Sequence, residues 1–504
     1  MPTEVELKLL IDPADVPRLR RHELLRAHAV APPATGLLVS TYFDTPDLWL
    51  KRHGAALRVR REGRRRVQTF KGGGGVHAGL HTRQEWESPV RGDRPDLEAL
   101  ARRAGADSAC ARLLRDPALA GRLGPVFTTR FRRTTWHLAF PDGSEIELAL
   151  DRGEVRGGQS REPISEIELE LLAGEPGVLF DFALALADTI ALRPFDVSKA
   201  HRGYALWAGE RREPVKAQPP GLSAQMRVGE GVARIVSGCL AQIQGNEAGV
   251  LAGDDPEFVH QMRVGLRRLR AALSLFSPVI ARPGCQPELK WIARELGVAR
   301  DWEVLARQTL PALRAEGDAP VGLDALQAAA ARRAAQARRA ARQALQSLRY
   351  ARLQLRLGAW LQEERWRQAQ EAPLGEFADK MLARCHKRLL KRGARLPRGD
   401  AAQRHAARIA AKKLRYAAEF FSGLHPGKRS RDYVRALAQV QDVLGGLNDI
   451  VIAEALFGRL VPAHEEALGP IRRWLAARHD AALAALPAAW KAFTRTRPLR
   501  ARSK

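Results

Sequence analysis

Glu4, Glu6 and Lys8 occupy alternate positions near the start of the sequence and are separated by apolar residues. Side chains alternate between the two faces of a β-strand, so these three charges would share one face of a strand. Divalent cations prefer carboxylate ligands, and a lysine ammonium group holds phosphate oxygens. The spacing therefore fits a site for a metal ion and an oxyanion. It also fits the polar outer face of a surface strand, and this segment alone does not separate the two interpretations.

Charged residues alternate in the same way along later segments. Segments of this kind place the following groups on single strand faces: Arg58 and Arg60; Arg83, Glu85 and Glu87; Glu166, Glu168 and Glu170. Lys71 and the cluster Arg130, Arg132 and Arg133 lie on further β-like runs. If these strands close into a barrel, one face of each strand points inward. Buried charges of both signs are costly unless they are compensated, and a phosphate chain with divalent cations would compensate both.

A second cluster lies in the C-terminal half, where the segment 260–270 matches the segment 405–415 position for position. At about 100° per residue, each copy places a histidine and three basic residues within about 80° of one helix face. The two stripes are His260, Arg263, Arg267 and Arg270, and His405, Arg408, Lys412 and Arg415. Like charges at this spacing destabilise a helix, so stripes almost without carboxylates favour a polyanion partner. A solvated basic face and structural histidines are the alternatives.

The distribution of charge divides the chain into two parts. Residues 1–210 contain 31 Lys and Arg against 29 Asp and Glu, whereas residues 211–504 contain 52 against 27. The second part should attract a polyanion, and nucleic acid, an acidic membrane and inorganic polyphosphate all fit its charge. A chain of 504 residues also exceeds what one hydrophobic core usually supports, so more than one domain is expected.

The periodicity of apolar residues changes at the same point. Alternation with a period of two dominates residues 1–210, and Ala-, Leu- and Arg-rich runs with helical spacing dominate afterwards. We therefore predict an α+β protein with a β-rich domain at 1–210, a proline-rich linker at 211–222, an all-α domain at 223–493 and a basic tail at 494–504. Residues 296–301 echo residues 444–449, which together with the repeated stripe indicates two copies of one helical unit.

Several classes of protein and site are not expected. No apolar run reaches the length of about 18 residues that a transmembrane helix needs, and the N-terminus carries carboxylates where a secretory signal would be basic. Four scattered cysteines favour a reducing cytoplasm over a disulfide framework. The glycine-rich run 72–75 lacks the P-loop pattern. His53, His77 and His81 lack metal-ligand spacing and are expected to lie in loops.

Taken together, the N-terminal motifs resemble the CYTH family, also called triphosphate tunnel metalloenzymes, of the inorganic triphosphatase type. The resemblance covers about residues 1–208 and rests on Glu4-x-Glu6-x-Lys8, Tyr42-Phe43-Asp44-Thr45, Arg58-x-Arg60, Thr69-Phe70-Lys71, Leu148-x-x-Asp151, Glu166-x-Glu168-x-Glu170 and Ser198-Lys199-x-x-Arg202. It implies an eight-stranded antiparallel tunnel, open at both ends, that needs Mg²⁺ or Mn²⁺.

The resemblance also implies roles for individual residues. The substrate phosphates would be held by Lys8, Arg58, Arg60, Lys71, Arg133 and Lys199, with Arg83, Arg130 and Arg202 as further candidates. The metal ions would be held by Glu4, Glu6, Asp151, Glu168 and Glu170, with Glu85 as a further candidate. The catalytic set would be Glu4, Glu6, Lys8, Lys71, Glu168 and Glu170. Glu87 and Glu166 would be rim charges, and Arg130 and Arg132 compete with Arg133 for the inward position.

The C-terminal motifs resemble the CHAD family over about residues 223–490. This resemblance implies two pseudo-symmetric helical bundles around a basic surface or pore that binds inorganic polyphosphate. The two stripes would bind the phosphates, with Arg268, Lys413 and Tyr416 as further candidates. Asp301 and Asp449 would either orient the basic residues or cap helices.

The two resemblances together predict hydrolysis of inorganic tripolyphosphate to pyrophosphate and phosphate, with a second domain that binds inorganic polyphosphate. The location expected is the cytoplasm, at polyphosphate granules, without a membrane partner. Thiamine triphosphatase or adenylate cyclase activity in the same tunnel remains an alternative. So does a non-catalytic scaffold that binds polyphosphate or nucleic acid.

Overall fold

The computed structural model describes residues 3–499 apart from 106–107, 120, 317–320, 364–371, 397–398 and 461–464. The chain divides into two compact units. The first contains residues 1–213 together with 346–362, and the second contains residues 214–345 and 363–504. Among the described helices, none combines the length and the apolar character needed to cross a membrane.

Eight antiparallel strands form a closed barrel in the first unit. They are β1 (Thr3–Leu10), β2 (Ala34–Asp44), β3 (Ala55–Glu62), β4 (Arg65–His77), β5 (Leu80–Pro89), β6 (Gly124–Ala139), β7 (Glu145–Gly157) and β8 (Ser160–Ala173). The order is β5-β4-β3-β2-β6-β7-β8-β1, and pairing of β1 with β5 closes the sheet. A two-residue strand, β9 (Arg193–Pro194), adds to β1. The predicted fold class, a β-barrel followed by helices, is confirmed.

In the described part of the first unit, seven short helices pack around this barrel. They are α1 (Val16–Arg20), α2 (Glu23–His28), α3 (Trp49–Arg52), α4 (Leu97–Ala104), α5 (Ala109–Leu114), α6 (Gly177–Leu186) and α7 (Lys199–Trp207). Alternation along the strands explains the arrangement, because Leu7 and Leu9 are fully buried in a core shared with α6, whereas the charges between them face the other way. A second core lies between β3, β5 and the pair α4 and α5.

From Val228 onward the described residues are mainly helical. The helices are α8 (Val228–Ala252), α9 (Pro256–Leu275), α10 (Gln286–Val304), α11 (Leu310–Ala315), α12 (Leu323–Gln346), α13 (Leu348–Gln362), α14 (Leu374–Gly393), α15 (Ala401–Phe420), α16 (Lys428–Gly458) and α17 (Glu465–Thr494). The two repeat copies lie on α9 and α15. Both helices begin with an aspartate N-cap, Asp255 and Asp400, whose side chain accepts a hydrogen bond from a backbone N–H of the first turn.

Helix α13 belongs to the first unit although it lies within the helical half of the sequence. Leu355 is fully buried in the same core as Leu7 and Leu9. Gly358 lies so close to Phe180 of α6 that a Cβ atom at position 358 would be 2.2 Å from the Phe180 ring. The sequence analysis did not predict this assignment, because the helical periodicity of α13 resembles that of its neighbours.

Candidate active site and polyanion site

The barrel strands and α7 enclose a cavity of about 700 Å³. Most of the predicted site residues line it: Glu4, Glu6, Lys8, Arg58, Arg60, Lys71, Arg83, Glu85, Arg133, Glu168, Glu170 and Lys199. The register brings opposite charges together, since Lys8 on β1 lies across from Glu168 on β8, and Lys71 on β4 from Glu85 on β5. The inward-pointing charges of separate strands therefore converge on one cavity.

One part of the cavity wall is a compensated ion-pair network. The Lys199 ammonium lies 2.7 Å from Asp151 and 2.9 Å from Glu168, and it also pairs with Glu166. Arg133 donates two hydrogen bonds to Asp151, of 2.8 and 2.7 Å. Burial alone would raise the pKa of Asp151, but Arg133 and Lys199 hold this pKa below its ordinary value. The pKa of Glu168 is likewise held well below its ordinary value, against the effect of burial, by Lys199, Lys8 and Arg133.

Another part of the wall carries an excess of negative charge. Glu6 and Glu147 both lie directly across from Glu170, on its two neighbouring strands. Burial, followed by the charges of Glu4, Glu147 and Glu6, raises the pKa of Glu170 to about 7. Burial also raises the pKa of Glu4, although Lys71 lies 2.6 Å away. A divalent cation would relieve this repulsion, because carboxylate oxygens are the ligands of Mg²⁺ and Mn²⁺.

Among the described residues, a different set of carboxylates has the spacing of a metal site. Oxygens of Asp151, Glu166 and Glu168 lie within 4.8 Å of one another, and all three residues are buried. However, the Lys199 ammonium contacts all three carboxylates and compensates their charge. In the group of Glu4, Glu6, Glu147 and Glu170, Lys71 pairs with Glu4 and Lys8 with Glu6 at 2.9 Å. Because no ion pair of Glu147 or Glu170 is seen within the described part of the chain, this group fits a divalent cation better.

Arg58, on the cationic wall opposite, is loosely paired. Arg58 lies 3.7 Å from both Glu85 and Glu87, which is beyond hydrogen-bond distance. Its Nε atom is buried and has no hydrogen-bond partner among the described residues. A buried guanidinium group with unused donors is suited to phosphate oxygens, which accept two parallel hydrogen bonds.

The repeated stripes of the second unit border two cavities. His260, Arg263, Arg267 and Arg408 line a cavity of about 210 Å³. Arg267, Arg270 and Lys412 line a neighbouring cavity of about 320 Å³. The Nε atoms of Arg267 and Arg408 are buried without a hydrogen-bond partner in the described part of the chain. Burial, followed by the charges of Arg408 and Arg267, lowers the pKa of Lys412 to about 8. These cations have more positive charge around them than the protein itself compensates.

Comparison with known families assigns both parts of the chain. Residues 2–204 match the model of the CYTH domain, and residues 234–458 match the model of the CHAD domain. The chain carries a CYTH domain followed by a CHAD domain. Both resemblances drawn from the sequence motifs are confirmed.

Individual relatives agree with this assignment. An inorganic triphosphatase from Haemophilus influenzae is 34% identical over 203 residues, which are 40% of this chain and 54% of that protein. The match thus spans about half the length of that relative. The crystal structure of the CHAD domain from the plant Ricinus communis is 41% identical, covers 57% of this chain and 99% of that chain, and has a TM-score of 0.53. An adenylyl cyclase candidate from Hippeastrum with a dominant triphosphatase activity is 19% identical over 42% of this chain and 98% of that chain; its TM-score of 0.30 supports no argument.

Three predicted CYTH residues do not line the cavity. Arg130 is exposed, as is Arg132, because Phe131 and Arg133 occupy the inward positions of β6. The placement of Arg130 at the substrate is therefore corrected. Asp151 lies behind the wall, where it holds Arg133 and Lys199.

Arg202, the third, is buried on α7. It donates a hydrogen bond to Glu166 at 3.1 Å and pairs with Glu162. Glu166 itself is 1% exposed, so its prediction as a rim charge is wrong: its β8 position faces Lys199 and Arg202 of α7. Arg202 and Glu166 therefore support the site without lining its cavity.

The prediction that three histidines lie in loops holds only in part. His53 follows the end of α3, but His77 and His81 are strand residues of β4 and β5. His81 is fully buried and donates a hydrogen bond from Nε2 to the Phe195 carbonyl at 3.1 Å. Burial, followed by the charge of Lys8, lowers the pKa of His81 to about 3, so the ring is neutral.

Two cavity residues were missed by the sequence analysis. Glu147 continues the alternation that includes Asp151, and this signal could have identified it. Arg103 reaches the cavity from α4, outside any strand pattern, and no sequence signal identifies it.

The CHAD stripes differ from the prediction in two respects. They are not free of carboxylates, since Arg263 pairs with Asp301 at 3.0 Å and Arg415 with Glu419 at 2.6 Å. The two histidines are also not equivalent, because His260 lines a cavity whereas His405 is exposed and lines none of the cavities described. Arg268 is buried and pairs with Glu419 at 2.6 Å, which gives it a structural role between α9 and α15.

Proposed function

We propose that the CYTH domain hydrolyses inorganic tripolyphosphate to pyrophosphate and phosphate with the help of Mg²⁺ or Mn²⁺. The observation that carries the proposal is one cavity that combines carboxylates crowded around Glu170, which raise its pKa, with the loosely paired guanidinium group of Arg58. A phosphate chain with bound cations compensates both signs. The inorganic triphosphatase among the relatives supports the choice of substrate.

Each part of the cavity wall has a separate task in this proposal. Arg58, Arg60, Lys71 and Arg83 hold the phosphate oxygens, while Lys8 and Lys199 do so from the compensated wall. Asp151 keeps Arg133 and Lys199 in place. Glu4, Glu6, Glu147 and Glu170 hold the cation. A bound divalent cation supplies charge neutralisation and activation of a water molecule, so positioning suffices and no nucleophilic side chain is required.

For the second domain we propose binding of inorganic polyphosphate by the stripes on α9 and α15. The buried, unsatisfied Nε atoms of Arg267 and Arg408 support this, because such donors favour an anionic partner. We assign the linker to residues 211–222, the binding domain to 223–345 and 363–493, and the tail to 494–504, the last five residues of which lie outside the described part of the chain.

The catalytic proposal is tested by measuring phosphate release from tripolyphosphate, ATP and thiamine triphosphate. Each compound is assayed with Mg²⁺, with Mn²⁺ and with a chelator. Metal-dependent release that is fastest from tripolyphosphate is expected, and Glu6→Gln should abolish it while Glu175→Gln, an exposed control, should not. Fastest release from thiamine triphosphate would mean that this compound, and not tripolyphosphate, is the substrate. Formation of cyclic AMP from ATP would indicate a cyclase instead of a hydrolase. No turnover of any of the three compounds would indicate a non-catalytic scaffold.

A further inference from the structure

Two cavities of different character adjoin each other in the CHAD domain. The first, of about 210 Å³, is polar and contains Arg263, Arg408 and Asp301. The second, of about 320 Å³, has an apolar floor formed by Leu273, Leu289 and Ile409. Arg267 lines both cavities, so a single ligand could occupy them together.

The rim of the second cavity is strongly cationic. Six basic side chains line it, and none of the described residues that line it is a carboxylate. They are Arg267, Arg270, Arg282, Lys290, Lys412 and Lys413. The charge requires an anionic ligand, as in the first cavity.

The apolar floor of the second cavity calls for a ligand that has an apolar group in addition to its negative charge. Ile409 is 43% exposed although it lies between basic residues of α15. An inorganic phosphate chain has no apolar surface to place against Leu273, Leu289 and Ile409, so polyphosphate alone leaves this floor unexplained. A ligand with phosphates at one end and an apolar group at the other satisfies both cavities.

The remaining groups favour a planar, hydrogen-bonding group over an acyl chain. Tyr416, Ser274 and Gln286, which carry an aromatic ring, a hydroxyl and an amide, line the same cavity. A nucleobase can stack on an aromatic ring or a guanidinium plane and can pair with hydroxyl and amide groups. An acyl chain uses neither property.

We propose that the CHAD domain binds nucleoside polyphosphates, with the phosphates among the cations that border the two cavities and the base over the floor of Leu273, Leu289 and Ile409. Arg267 lies between the two ends and binds the phosphate nearest to the sugar. The inference rests on the proposed phosphate binding by the same stripe and adds a second ligand class to it.

Calorimetric titration of the full chain with ATP and with tripolyphosphate tests the inference, in a Glu6→Gln background that prevents hydrolysis. Ile409→Asn should weaken ATP binding at the CHAD site about ten-fold, because the base no longer packs on an apolar floor, and should leave tripolyphosphate binding unchanged. Val451→Asn is the matched control, because Val451 is 57% exposed on α16 and lines neither cavity. The CYTH cavity is identical in all these variants, so differences report the CHAD site.

Arg267→Ala separates the two ways in which the inference can be contradicted. It should weaken binding of both ligands. If it does so while Ile409→Asn leaves ATP binding unchanged, nucleotides bind through their phosphates alone and the base site is refuted. If Arg267→Ala changes neither ligand, the proposed phosphate binding by the stripe fails, and the base site fails with it.

Discussion

The Glu170 carboxyl group has a pKa of about 7, raised from 4.5 by burial and by its carboxylate neighbours. Between these two pH values the folded protein keeps a proton that the unfolded chain loses, so the free energy of unfolding falls as the pH rises. We expect Glu170→Gln to stabilise the metal-free protein at pH 8 by about 1 kcal/mol, after allowance for partial exposure, and to have little effect at pH 4. Thermal unfolding at the two pH values measures the difference.

The exposed Glu175 provides the control for this charge effect. Glu175→Gln should change stability equally little at both pH values. An equal gain from Glu170→Gln at pH 4 and pH 8 would show that the effect has nothing to do with ionisation.

Asp151 stabilises the opposite wall through its charge. Its pKa is held below the ordinary value by Arg133 and Lys199 against the effect of burial, so it contributes stability above the unfolded pKa that is lost as the pH falls through the folded pKa. Asp151→Asn should lower the free energy of unfolding by about 3 kcal/mol at pH 7. Asp93→Asn, which removes a pair with Arg66 that is mostly exposed, should cost less than about 1 kcal/mol. Equal effects of the two variants in urea titrations would contradict the assigned role of Asp151.

At the scale of secondary structure, alternation predicted the strands and most of the charges that share a face, whereas closure into an eight-stranded barrel was implied by the resemblance to the CYTH family. Glu4, Glu6 and Lys8 had to share a face once the segment was a strand. Alternation did not decide which side chain points inward where charged residues are consecutive, as at Arg132 and Arg133. It also could not place Arg103, since tertiary packing of α4 brings that side chain to the cavity.

Helix α13 shows that periodicity also fails to place some whole helices. Its apolar face has helical spacing, and periodicity does not specify which core that face joins. Tertiary contacts, such as the close approach of Gly358 to Phe180 and the burial of Leu355, place it in the first unit. Domain limits drawn from periodicity therefore assigned α13 to the helical domain.

The position of α13 gives a prediction about which unit a substitution destabilises. Gly358→Ala introduces a Cβ atom at 2.2 Å from the Phe180 ring, so the barrel unit should lose about 1–3 kcal/mol of stability. Gly238→Ala on α8 has open space around the new atom and should stabilise the helical unit by about 0.5–1 kcal/mol. Hydrogen exchange of each unit in the full-length variants distinguishes the effects. Faster exchange confined to the helical unit in Gly358→Ala would contradict the assignment.

At the scale of the whole molecule, charge separates the two parts of the chain. Residues 1–210 are nearly balanced, whereas residues 211–504 carry 52 basic and 27 acidic residues. The near balance of charge in the first part gives it little net attraction for a polyanion, so a ligand there has to be selected by the side chains of the cavity itself. A surplus of positive charge attracts any long polyanion, and its affinity depends on the release of counterions.

This surplus predicts how the binding of long-chain polyphosphate responds to salt. The logarithm of the affinity should fall linearly with the logarithm of the salt concentration, and Arg267→Ala with Arg408→Ala should reduce the slope by about 0.7 for each phosphate that the protein no longer neutralises. Arg472→Ala with Arg473→Ala is the matched control, since these two arginines are exposed on α17 and line none of the cavities described. It removes the same net charge and should leave the slope nearly unchanged. If both double variants reduce the slope equally, polyphosphate responds to the overall charge of the helical part and the stripe is not its binding site.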